Sequence, residues 1–263
     1  MNTTLKILTY ELRDVLRGKW IVVYALLFLL ITDTLFRFGG DAQHVLISLM
    51  NVVLTVIPLF SIIFGSLYLY NSREFIELLL SQPINRKQLF IGMYTGIALP
   101  LVLGFVAGIL IPFIYSGQKS ENDLWAVFIL LASGTALTLI FLAVSFLISV
   151  VNEDRIKGLG MAILLWLFFT VIYDGLVLAL IYIFGDYPLE RFVLFLSFLN
   201  PVDLGRVLLL MEFDVSALMG YTGAVFQNFF GSSTGTIIAA VSLIMWITLP
   251  LYFALRRFEK KDL

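Results

Sequence analysis

Asp174 is the residue whose chemistry most needs explaining. It stands inside an unbroken apolar run, 159–184, about 15 residues from the run's start. A carboxylate there costs on the order of 2.5–3.5 kcal/mol on insertion scales, so a partner or a water-filled path is expected. Two readings are open: a group lining a pathway, or a carboxylate hydrogen-bonded to Tyr173 or a facing hydroxyl, or reaching water at the helix end. Further on, Asn200-Pro201-Val202-Asp203 precedes Arg206 and a Leu-rich stretch ending at Met211. Asn200 fits an N-cap, Pro201 the first helical position and Asp203 the third, where a carboxylate meets the helix dipole. Asp174, Asn200, Asp203, Arg206 and Met211 are therefore the candidates for a pathway or gate.

A second constellation lies in 71–88. Arg73, Glu74 and Glu77 are mixed with Phe75, Ile76, Leu78, Leu79 and Leu80, and the stretch stops at Pro83, before Arg86 and Lys87. Two acids one turn apart beside an apolar patch suit docking into a groove on a soluble partner; a solvated loop helix is the plainer reading. Asp33 and Arg37, also one turn apart, form a simple helix pair. No catalytic group is expected. The chain has no cysteine and one histidine, His44, so it lacks the clustered His and Glu or the Ser-His pair of an intramembrane hydrolase. Thioethers suit Cu(I), but the methionines are scattered, with Met211 and Met219 the only pair near one mouth, so this chain alone makes a poor copper site. Whether it holds a metal is left open.

The elements that must position these groups follow from composition. Sixty per cent of the 263 residues are hydrophobic, 13% are charged, and the mean hydropathy is +1.00. A soluble domain is about 25% charged; this surface must meet lipid. Strand-period alternation is absent, so the chain reads as all-α and polytopic, with about six spans at 20–38, 45–70, 89–115, 124–150, 159–184 and 236–255. It forms one membrane domain, 1–263. In 5–17, Leu5, Leu8, Leu12, Val15 and Leu16 share one helical face, which predicts an interfacial helix; recurring charges argue against a signal peptide. The net charge of −1 gives no basic field for nucleic acid.

With the N-terminus inside, Lys6, Arg13, Arg17, Lys19, Arg73, Arg86, Lys87, Arg155, Lys157, Arg256, Arg257, Lys260 and Lys261 fall on the inner face, and only Arg37, Lys119, Arg191 and Arg206 fall outside. The positive-inside rule then places both termini in the cytoplasm. The stretch 185–235 becomes an outer segment. Its 189–199 part is only ~16 Å long as a helix, too short to cross, and predicts re-entrant or surface-lying helices. Gly92, Gly96, Gly104 and Gly108 permit close helix approach, within the chain or between two copies.

An interfacial first helix, six spans and a first inner loop of the form E-x-x-E-x-L-L-x-x-P-x-x-R resemble the ABC-2 permease family. Here the pattern is Glu74, Glu77, Leu79, Leu80, Pro83 and Arg86. Many members carry Gly-Lys where this chain has Gly92-Met93. The resemblance implies a type V exporter-like permease fold in a bacterial inner membrane. It also implies a homodimer and a coupling helix at 71–88 that contacts a separate ABC ATPase subunit. That subunit would bring ATP and Mg, since no G-x-x-x-x-G-K-[ST] pattern occurs here. The 200–211 segment is similar to the branch of the family serving nitrous oxide reductase maturation. That branch implies a sulfur- or copper-related cargo and a NosD-like periplasmic partner. An exporter of a drug, lipid or glycan, and a non-transporting membrane scaffold, are the rival readings.

Overall fold

The computed structural model describes residues 19–40, 42–81, 84–116, 121–184, 190–212 and 233–260. Every regular element among them is helical. In chain order these are α1 (Lys19–Phe38), α2 (Ala42–Asn71), α3 (Arg73–Leu80), α4 (Arg86–Ser116), α5 (Glu121–Val151) and α6 (Arg155–Leu167). A π-helical turn, Phe168–Ile172, joins α6 to α7 (Tyr173–Ile183). Then come α8 (Glu190–Leu199), α9 (Pro201–Glu212) and α10 (Ser233–Lys260).

Six stretches are long and apolar enough to cross a membrane: Lys19–Phe38, His44–Asn71, Arg86–Ser116, Leu124–Val151, Arg155–Ile183 and Gly235–Lys260. They fall on the six runs expected from the sequence. α8 and α9 do not make a straight span; the pair bends by 116° at Asn200, as expected of short helices that turn back. The interfacial helix expected at 5–17, Gln82, Pro83 and Met219 lie outside the described residues.

α5 sits at the centre, packed against α2, α4, α9 and α10. Its side chains and those of α2 and α4 hold most of the core, while α6 and α7 are the least enclosed part of the bundle. An aromatic stack ties α1 in: Tyr24 meets Phe28 at 5.0 Å between ring centroids, and Phe28 meets Phe105 of α4 at 5.4 Å. Small residues make this approach possible. A Cβ on Gly108 would press on Phe28 and on the Ala25 carbonyl, and one on Gly134 of α5 would enter the Phe105 ring. Gly104 and Gly108 thus serve packing of α4 on α1 within this chain. Many large apolar side chains of α1, α6, α7 and α10, among them Leu26, Leu164, Leu178 and Ile244, are exposed, as lipid contact requires.

We call the end carrying Lys19, Asn71, Arg86, Val151, Arg155 and Lys260 proximal, and the opposite end distal. At the distal end Arg37 pairs with Asp33 at 3.0 Å, as expected, and the Tyr115 hydroxyl donates to the same carboxylate at 2.5 Å.

Candidate functional site

Two polar constellations stand out, one at the proximal end of the bundle and one running from the middle of span five into its distal half. The proximal one is built on α3. Ser72 precedes it without a side-chain cap, so α3 is held by contacts from its first residue instead. The Arg73 guanidinium donates to the carbonyls of Glu153 (2.6 Å) and Asn152 (3.0 Å), in the turn between α5 and α6, and lies 4.9 Å over the Tyr70 ring. Tyr70 donates to the same Asn152 carbonyl at 3.0 Å. That turn is itself fixed, because the Asp154 carboxylate caps α6 by accepting from the Ile156 N–H at 2.8 Å.

The far end of the segment is tied to the last span. Arg86 donates to the Glu259 carbonyl at 3.0 Å, and Lys87 Nζ lies 3.6 Å from the Glu259 carboxylate. Between these anchors α3 spends part of its apolar side on the core: Ile76 is buried, and Leu79 and Leu80 pack against it. Glu74, Glu77 and Leu78 are left exposed. The result is a helix anchored at its first residue and seated on the core, presenting two acids and a leucine.

The distal constellation joins span five to the bent pair. Asn200 is the corner of that pair and is fully buried. Its Oδ1 accepts from the Val202 N–H at 3.0 Å, as an N-cap should, and its Nδ2 donates to the Phe169 carbonyl inside the π-turn at 2.8 Å. Asp203 occupies the first turn of α9. Arg206, one turn on, donates to Asp203 at 3.0 Å and to Asp174 of α7 at 2.6 Å.

The partner of Asp174 is therefore Arg206. Tyr173, the neighbour weighed for that role, donates instead to the Leu196 carbonyl of α8 at 2.6 Å. Two carboxylates share one guanidinium, and Asp174 Oδ1 is enclosed without a hydrogen-bond partner among the described residues. Trp246 of α10 adds a 3.1 Å bond to the Phe198 carbonyl, so the corner is gripped from two spans.

Four of the five distal candidates thus come together through contacts around one corner. Met211 lies further along α9, packed against the core. Sequence reasoning missed the acceptors: the carbonyls of Asn152, Glu153, Glu259 and Phe169. Backbone carbonyls carry no residue signature; only an unexplained Arg or Asn nearby hints at them. Among the described residues, no three His, Cys, Asp or Glu side chains are grouped to hold a metal ion.

Comparison with known proteins gives these constellations a context. Residues 5–263 match the family model described as "ABC-2 family transporter protein". The chain is 28% identical to a "Probable ABC transporter permease protein NosY" of Pseudomonas aeruginosa, over 80% of this chain and 82% of that one. It is 25% identical to a protein of the same description from Stutzerimonas stutzeri, over 99% of both. With six spans, a mounted α3 and a family match running from residue 5 to the last residue, the chain belongs to the ABC-2 family of transporter proteins.

Proposed function

We propose that this chain is the permease half of a NosY-like ABC transporter. It works as a homodimer with a separate cytoplasmic ATPase, moving a sulfur- or copper-related cargo that supports copper-site assembly of nitrous oxide reductase. The observation that carries the reading is the mounting of α3. Force applied at Glu74, Glu77 or Leu78 reaches the α5–α6 turn through Arg73, while Arg86, at the start of α4, ties that span to α10. A helix anchored at its first residue and lying on the core through Ile76, Leu79 and Leu80 can pass a push into the bundle. ATP and Mg bind the partner subunit, and its closure on α3 rocks the spans between inward- and outward-open states. The similarity to two proteins described as NosY supports the branch. The distal corner is where a NosD-like periplasmic subunit would meet the permease.

The test is purification of the tagged protein from native membranes in mild detergent, with its companions identified by mass spectrometry. A stoichiometric ABC ATPase together with a periplasmic subunit is the expected result. An ATPase without the periplasmic subunit would favour an exporter of a drug, lipid or glycan. Recovery without any ATPase, repeated in nanodiscs, would replace the transporter by a membrane scaffold.

A further inference from the structure

Span five changes character at its middle. Its proximal half, α6, packs against α2 and α5, and Trp166 donates to the Thr55 carbonyl of α2 at 3.1 Å. Its distal half, α7, is mostly exposed, with few neighbours among the described residues. Leu176, Leu178, Tyr182 and Ile183 are exposed, and Tyr173 is its one buried residue. Between the halves lies the π-turn, whose wider hydrogen-bond ring interrupts the α-helical ladder where helices bend and functional sites cluster. Among the described residues, Ile181 packs against the core, and the other ties of α7 are polar: Tyr173 to the Leu196 carbonyl, and Asp174 to Arg206.

We propose that Phe168–Ile172 is a hinge, and that the Asp174–Arg206 pair is the latch holding the α7 arm on the bent α8–α9 pair. Release lets the arm swing at the distal mouth of the permease. The arrangement of partners makes release feasible. When Asp174 leaves, Arg206 keeps Asp203, which sits three residues away on its own helix at 3.0 Å. The cation is never stranded, and the departing carboxylate is on the moving arm, already 29% exposed by side chain. Asn200 holds the fixed side of the hinge by bonding the Phe169 carbonyl from the corner of the bent pair. Arg206 bonds both carboxylates here and can keep the one on its own helix, so the held and released arm make a two-state element of the kind that switches need. This inference rests on the transporter reading, which supplies the use for a mouth that opens.

The chain has no cysteine, so spin labels can be placed by substitution alone. Labels at Tyr182→Cys on the arm and Ile238→Cys on α10, both exposed, report the swing by electron–electron distance measurement in nanodiscs. Dilution with unlabelled chain leaves one labelled protomer per assembly. A second pair, Ile163→Cys with Ile238→Cys, reports the proximal half. The expected result is one narrow arm distance in the parent chain. Asp174→Asn should raise a second, swung population about tenfold, the change expected when the carboxylate acceptor gives way to a neutral amide oxygen. The proximal pair should not move, which also shows that the variant is folded. Tyr173→Phe should act in the same direction but less, and Asp174→Arg with Arg206→Asp should restore the narrow distance. An arm distance unaltered by Asp174→Asn, in a chain that still recovers its ATPase, overturns the latch and leaves the transporter reading standing. A swinging arm in a chain that recovers no ATPase keeps the latch and removes that reading.

Discussion

Arg206 divides one positive charge between two carboxylates, and this sharing sets how each of the three side chains responds to substitution. Replacing Asp174 by Asn leaves Arg206 with Asp203, a pair of opposite charges on one helix. Replacing Arg206 by Ala leaves two carboxylates facing each other with the guanidinium gone, and Asp174 Oδ1 already has no hydrogen-bond partner among the described residues. Loss of a charged hydrogen bond costs about 1.5–3 kcal/mol, and an unpaired enclosed charge adds to that. Partial exposure of the side chains, 29% for both Asp174 and Arg206, moderates the second contribution. The expected order of thermal stability in detergent is therefore parent, then Asp174→Asn, then Arg206→Ala, with the last at least ~1 kcal/mol below the second. Equal melting of the two variants would mean that the guanidinium does not neutralise both acids.

At the scale of elements, α3 tests coupling. Glu77 is exposed and Arg73 is structural, so their substitutions should fail in different ways. Glu77→Lys reverses the charge offered to the docking subunit while leaving the mounting intact. It should insert normally, bind ATPase more weakly and hydrolyse ATP without transport. Arg73→Ala removes the bonds to Asn152 and Glu153, so α3 stays apolar enough to lie on the core but no longer transmits force. ATPase binding should persist while coupling falls. Wild-type coupling in Glu77→Lys would remove α3 from the ATPase contact. The spans themselves were legible in the sequence because each is an apolar run bounded by charge or by turn residues. The bent pair was legible because 189–199 is too short to cross and Asn200-Pro201 spells a cap. The π-turn was not, since Phe168, Phe169, Thr170, Val171 and Ile172 read as ordinary apolar helix; the Asn200 amide that bonds its Phe169 carbonyl comes from 31 residues away. The Asp174–Arg206 pair was hidden for the same reason: 32 residues separate its members, and only the return of α9 brings them together.

For the whole molecule, the question is which end meets the ATPase, and the charge distribution makes a prediction. Lys19, Arg73, Arg86, Lys87, Arg155, Lys157, Arg256, Arg257 and Lys260 all sit at or near the ends of helices on the proximal side, whereas Arg37 is at the distal end. Lys and Arg flanking spans are retained on the cytoplasmic side during insertion, so the proximal end, and α3 with it, should be cytoplasmic. Single cysteines test this without background, because the chain has none of its own. Phe38 is 84% exposed at the distal end of α1, and Lys157 is exposed in the first turn of α6. A membrane-impermeant maleimide added to intact spheroplasts should label Phe38→Cys and leave Lys157→Cys untouched until the membrane is opened. The opposite pattern would put α3 on the outer face, beyond the reach of any cytoplasmic ATPase. The coupling proposal would then fail along with the orientation, while the Asp174–Arg206 latch would lie at the inner mouth instead of the outer one. The two ends of the bundle are therefore one prediction: the side that carries the basic residues must be the side that is pushed, and the hinged arm of span five must open on the other.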